Sequence, residues 1–148
     1  MGIFTRIIIT ATVLLLHPYS LAQAKEVEQI IRSKCAQEWP DDFRMRAYCE
    51  KKQREAVPKL RAPAAATNEH AKIIRSKCAR EWPDDFRMRA YCEEKQRDGL
   101  RTLSQPIAAS PDQARIIRSK CTQEWPDDFR MRAYCEKKQI DGLRSLGL

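Results

Sequence analysis

Histidine and glycine are scarce: two and four among 148 residues. His17 falls in an N-terminal leader pattern, and His70 stands alone between repeated segments. A Ser-His-Asp or Cys-His set therefore cannot recur with the repeats. No G-x-G-x-x-G, P-loop or H-E-x-x-H string occurs, and no two cysteines stand in C-x-x-C spacing, which argues against a thioredoxin-like couple. No catalytic residue, metal ligand or cofactor site is assigned on these grounds, and an enzyme is not expected. Long apolar runs are lacking too. The longest, Ile7–Leu16, has ten residues, whereas a membrane-spanning helix needs about 20.

That short run has a different meaning. Arg6 precedes it, Pro18 follows it, and Ala22-Gln23-Ala24 has the A-x-A form of a cleavage signal. Residues 1–24 thus read as a secretory leader, and the mature chain is expected to run from Lys25 to Leu148 with no transmembrane segment. The expected address is periplasmic or secreted. The chain carries 28 Lys+Arg against 20 Asp+Glu, a formal charge of +8, and loss of Arg6 leaves +7. A basic exported protein favours anionic partners. Acids and bases are interleaved, however, so charge alone reads as solubility.

What is present is a phrase written three times. Ile30–Gln53 returns as Ile73–Gln96 and Ile116–Gln139, a period of 43 residues. The second copy differs from the first only at Gln37/Arg80 and Lys51/Glu94, and the third differs from the first only at Ala36/Thr122. The intervening segments, VPKLRAPAAATNEHAK and LRTLSQPIAASPDQAR, share little.

Each phrase predicts two helices. Val27, Ile31, Cys35 and Trp39 form a stripe at four-residue spacing. Pro40 biases Trp39 away from helical backbone and ends the first helix there. Pro40 then opens the second helix, with Asp41 and Asp42 in its first turn complementing the dipole. Met45, Tyr48, Cys49 and Ala56 share the inner face of that helix. Ser110, Pro111 and Gln113 fit an N-cap, a first-turn proline and a capping box. Gly99 and Gly142 read as glycines just past a helix end, and Pro58 as the stop in the first copy.

The fold class expected is all-α: three tandem disulfide-stapled helical hairpins joined by Pro/Ala-containing connectors. The hairpins span 25–57, 68–100 and 110–148, with linkers at 58–67 and 101–109. One unit holds two cysteines, so the expected pairs are Cys35–Cys49, Cys78–Cys92 and Cys121–Cys135. Each bridge closes a 15-residue loop, worth about 3 kcal/mol in a chain-entropy treatment. A hairpin of this size falls below the roughly 40 residues at which domains usually stand alone. Trp39 and Phe43 are expected to close the turn end of their own hairpin, and Tyr48 to be buried. Ile30, Ile73 and Ile116 point off the seam, either to pack hairpin on hairpin or to hold a partner. The polar connectors favour independent or loosely docked units, and oligomeric state is left open.

The string C-x3-W-P-D-D-F-x-M-x-x-Y-C-x3-Q resembles a motif of uncharacterised exported proteins of Gram-negative bacteria, which usually carry it once. That resemblance covers the three phrases and implies an envelope or extracellular address, with no activity and no catalytic residue. The hairpin also looks like a coiled-coil-helix unit of the mitochondrial intermembrane space. Those units carry two cysteines per helix, against one here, and their function is not carried over.

Three functions are weighed. The favoured one is multivalent binding or scaffolding through Arg32, Arg44 and Arg46, recurring as Arg75, Arg87 and Arg89 and as Arg118, Arg130 and Arg132. Arginine suits planar contacts with carboxylate or phosphate, so the expected partner is an anionic envelope polysaccharide or an acidic protein. The alternative is copper(I) handling by Cys35, Cys49 and Met45 of each repeat, since soft sulfur ligands select that ion. A structural spacer is the third. Nucleic-acid binding is not expected. Arg44, Arg46, Lys51 and Lys52 scatter around their helix, and the aromatics that would stack bases are expected to be buried.

Overall fold

The computed structural model describes residues 19–61 and 68–148. They form six helices: α1 (Tyr19–Glu38), α2 (Phe43–Arg61), α3 (Glu69–Glu81), α4 (Phe86–Leu103), α5 (Pro111–Glu124) and α6 (Phe129–Ser145). No strand occurs among the described residues. The chain is all-α, built as three hairpins, each stapled by one disulfide. The apolar run Ile7–Leu16, on which the leader reading rests, lies outside the described residues. Helix α1 begins at Tyr19 and runs through the expected cleavage position at Ala24. Among the described residues no helix is long and apolar enough to cross a membrane.

The hairpin turn is dictated locally. Trp82 and Trp125 leave the helical region at φ −132° and still donate their amides to the carbonyls of Cys78 and Cys121. Proline follows each tryptophan and cannot continue the ladder. The second helix starts three residues later than the proline would allow. Asp85 and Asp128 are N-caps, with side chains accepting the amides of Met88 and Met131 at 2.9 Å. Asp42 caps Met45 in the same way. This corrects the placement of these aspartates inside the first turn. An extended residue ahead of the helix frees the carboxylate to accept an orphan amide. The Ser110–Gln113 capping box forms as expected, with Pro111 as the first helical residue.

The bridges pair Cys35–Cys49, Cys78–Cys92 and Cys121–Cys135, leaving no free cysteine. Their Cα atoms lie 5.7–5.8 Å apart, in the ordinary range for a disulfide. Three such bonds are the chemistry of an oxidising, extracytoplasmic compartment.

Two helix ends differ from expectation. Pro58 lies inside α2, which continues to Arg61, so four residues of the expected linker 58–67 are helical. The proline removes one amide near the helix end, at an exposed position. Gly99 and Gly142 lie inside α4 and α6, and neither has positive φ. Gly99 is there for space. A Cβ on it would stand 2.6 Å from the Phe129 carbonyl and the Arg130 nitrogen. Glycine lets the start of α6 press against α4.

That contact overturns the expectation of independent units. Helices α2, α4 and α6 form a continuous spine, each packed on the next, while the backbones of α1, α3 and α5 each run beside their own partner and only their side chains reach the following repeat. Three small cores are strung along the spine. The first joins Ile31, Cys35 and Ala56 of the first repeat to Phe86 of the second, with Ile30 packed beside them. The second joins Ile74 and Cys78 to Phe129 of the third, with Ile73 alongside. The third, Ile117, Cys121 and Cys135, receives no phenylalanine. A lone hairpin of this size buries little apolar surface, and the second and third repeats each lend their turn phenylalanine to the core before them. The chain is a short solenoid.

Candidate functional site

Each junction is a plug in a socket. Phe86 is 6% exposed and Phe129 1%, whereas the equivalent Phe43 of the first repeat is 74% exposed. Phe43 therefore does not fold back on Trp39, as the sequence suggested. The aromatic reaches the neighbouring unit because the Asp-Phe turn projects beyond its own hairpin.

The polar half of the junction is equally regular. Gln53 donates its amide to Asp85 at 2.8 Å and accepts the Arg87 backbone amide at 3.1 Å. Gln96 does the same to Asp128 and Arg130, at 2.8 and 3.3 Å. Lys34 reaches Asp85 at 3.2 Å, and Lys77 reaches Asp128 at 3.1 Å. Both glutamines are buried, and a buried amide is tolerated when both of its ends are bonded. Burial opposes ionisation of Asp85 and Asp128. The capped amide, the glutamine and the lysine outweigh it, so both carboxyls lie below the usual range. At the second junction Arg80 adds a pair with Asp127 at 3.1 Å; Gln37 holds the equivalent place in the first repeat.

Beside each junction lies a small cleft of about 100 Å³. The first is lined by Trp39, Met45, Tyr48, Cys49 and Lys52, with Arg87 entering from the next repeat. The second repeats it with Trp82, Met88, Tyr91, Cys92 and Lys95, completed by Arg130. The lysines stand over the tyrosine rings at 5.7 and 5.5 Å, a cation–π arrangement. The tyrosines were expected to be buried; Tyr48, Tyr91 and Tyr134 are 50–54% exposed. The hairpin is too thin to enclose them. A glutamate also lines each cleft, Glu38 or Glu81.

The nine arginines separate into three groups. The first-helix set serves its surroundings: Arg32 pairs with Glu28 at 2.8 Å, Arg75 is half-buried, and Arg118 donates to the Gln105 carbonyl at 2.9 Å. Arg89 and Arg132 lock their own turns. Each donates to the Trp-Pro carbonyls and stacks on the plug ring, with 5.2 Å to Phe86 and 5.0 Å to Phe129. Arg46 instead pairs with Glu50 at 3.4 Å. The third set, Arg44, Arg87 and Arg130, is exposed, and no guanidinium partner is seen for it among the described residues. These arginines stand one residue past the plug.

For copper(I), the sulfurs of all six cysteines are engaged in disulfides. A Cys/Cys/Met thiolate site exists only after reduction. Among the described residues no cluster of three or more His, Cys, Asp or Glu is placed to hold a metal ion.

Sequence reasoning missed Gln53, Lys34 and their copies, which carry the junction. Their signal was identity in all three phrases at positions that a lone hairpin leaves in solvent. Comparison with family models, with curated proteins and with solved structures gives no significant match to this chain.

Proposed function

We propose that this is an exported, non-enzymatic repeat protein, periplasmic or secreted, that binds an anionic partner at several equivalent points. The observation that carries this reading is the recurrence of one cleft at both junctions, completed each time by an arginine with no acidic partner among the described residues. Arg87 and Arg130 present planar donors beside an exposed tyrosine and a lysine, a set suited to carboxylate or phosphate groups. Weak sites on one rigid spine raise avidity by about 10²–10⁴ when the partner presents matching groups. A repetitive polyanion, such as an acidic envelope polysaccharide, or an oligomeric acidic protein meets that condition.

The test compares the disulfide-intact chain with the variant carrying Arg44→Gln, Arg87→Gln and Arg130→Gln. Both are passed over immobilised envelope fractions at low and high salt. The reading expects salt-sensitive retention that the triple variant loses while its thermal unfolding is unchanged. Equal retention of both proteins leaves a structural spacer.

A further inference from the structure

Among the described residues one plug and one socket are left without a counterpart, and the two match. At one end the plug is bare: Phe43 is 74% exposed. Asp42 is exposed and already set as a cap on Met45 at 2.9 Å, as Asp85 and Asp128 are when docked. At the other end the third repeat keeps every socket residue. Lys120 stands where Lys34 and Lys77 hold an aspartate, and Gln139 where Gln53 and Gln96 do.

The third socket shows the marks of an unfilled one. Ile116 is 65% exposed, while Ile30 and Ile73 are half-buried beside a plug. The Lys120 side chain is 48% exposed against 23% and 13% for Lys34 and Lys77. Gln139 is half-buried, whereas Gln53 and Gln96 are buried. Gly142 is the sharpest sign. The position is small at both docked junctions, Ala56 and Gly99, and Gly99 has the next helix against it, yet an added Cβ on Gly142 would meet nothing within 4 Å. Within one chain this helical glycine lowers stability without giving room to anything.

We propose that the protein assembles head to tail, the Asp42-Phe43 turn of one copy docking on the third repeat of a second copy. The occupant is specified by the two junctions already present inside the chain: Phe43 would lie over Ile117 and Cys121, Asp42 between Lys120 and Gln139, and the Arg44 amide on the Gln139 carbonyl. The contact joins two different surfaces, so it extends into an open filament unless the rotation closes a ring. It also completes a third cleft. Trp125, Tyr134 and Lys138 lack the arginine that the other clefts borrow from the next repeat, and Arg44 of the second copy stands in that register.

The test uses the full chain, disulfides intact, with one variant blocked at each end. Phe43→Glu removes the plug, and Gly142→Leu fills the socket. Both positions are free of packing within the chain, so both variants should fold with unchanged circular dichroism, Phe43→Glu with unchanged thermal unfolding and Gly142→Leu with a midpoint no lower, since it removes a helical glycine. In sedimentation velocity the unmodified protein is expected to grow with concentration through a series of multiples. Each variant alone should associate about tenfold more weakly or worse. Mixed, the two should stop at a dimer, because one retains only the socket and the other only the plug. A protein that stays monomeric at every concentration overturns the proposal. So does assembly undiminished in both variants, which would put the interface elsewhere.

Discussion

Gln96 holds Asp128 by one end of its amide and, by the other, the Arg130 backbone two residues further on. This two-handed grip fixes where α6 begins relative to α4. Gln96→Leu should lower stability by about 1–3 kcal/mol, because the buried Asp128 and the Arg130 amide each lose a partner. Urea unfolding of the variant should show a lower midpoint. The same change at Gln139, which has no plug to grip, should be near neutral.

The plug residues divide by position. Phe129→Ala empties a fully buried site and should cost about 3–5 kcal/mol. Phe43→Ala should leave the stability of the single chain unchanged, because the ring is already in solvent. Thermal unfolding of the two variants, measured side by side at low concentration, checks the contrast.

Removing the central staple tests cooperativity. Cys78→Ala with Cys92→Ala should cost about 2–5 kcal/mol. Cys78 is fully buried in the core that receives Phe129, so the damage should reach the third repeat. Far-UV circular dichroism should show more than one hairpin losing helicity in a single transition. Loss confined to one third of the signal would mean that the junctions contribute little.

The pH dependence follows from Asp85 and Asp128. Their folded carboxyls lie below the usual aspartate range. The stability they contribute is fully present above about pH 4 and is lost as pH falls through the folded values. Lys77 is raised above 10.5, so its contribution is complete below that value and is lost only in stronger alkali. Glu136 acts the other way, since burial raises its carboxyl against the pull of Arg118 and Arg132. It disfavours folding slightly once ionised. Thermal midpoints should be nearly flat from pH 6 to 9 and should fall below about pH 4.

Metal binding should depend on reduction. The oxidised chain is expected to bind neither zinc nor copper(I) tightly, since the disulfides remove the thiolates both ions need. Equilibrium dialysis before and after reduction checks this. Three copper ions per oxidised chain would favour the copper-handling alternative.

The hairpin, its staple and its turn were legible in the sequence because each is local. Tryptophan before proline ends a helix whatever surrounds it, and two cysteines per repeat leave little choice of pairing. The junction was not legible, because its partners lie 32–34 residues apart and no periodicity links them. Its traces were residues that fitted nothing nearby: Ile30 and Phe43 off the seams, and a glutamine closing every phrase. Gly99 was misread for a related reason. Near a helix end, a glycine that makes room for a neighbour looks the same as one that adopts left-handed backbone. The arginines were too alike in sequence to be told apart. Only the fold shows that Arg89 and Arg132 lock turns while Arg87 and Arg130 face solvent.

Because both junctions use the same phenylalanine plug and the same aspartate, glutamine and lysine, the length of the molecule is decoupled from its construction. Excising Ile73–Arg115, 43 residues, would bring Phe129 onto Ile31, Cys35 and Gln53, a seat already shaped for it. Inserting another 43 would lengthen the rod by one step and ask for no new contact. Copy number could thus drift by unequal recombination without passing through a misfolded intermediate, and reach would be set by counting repeats.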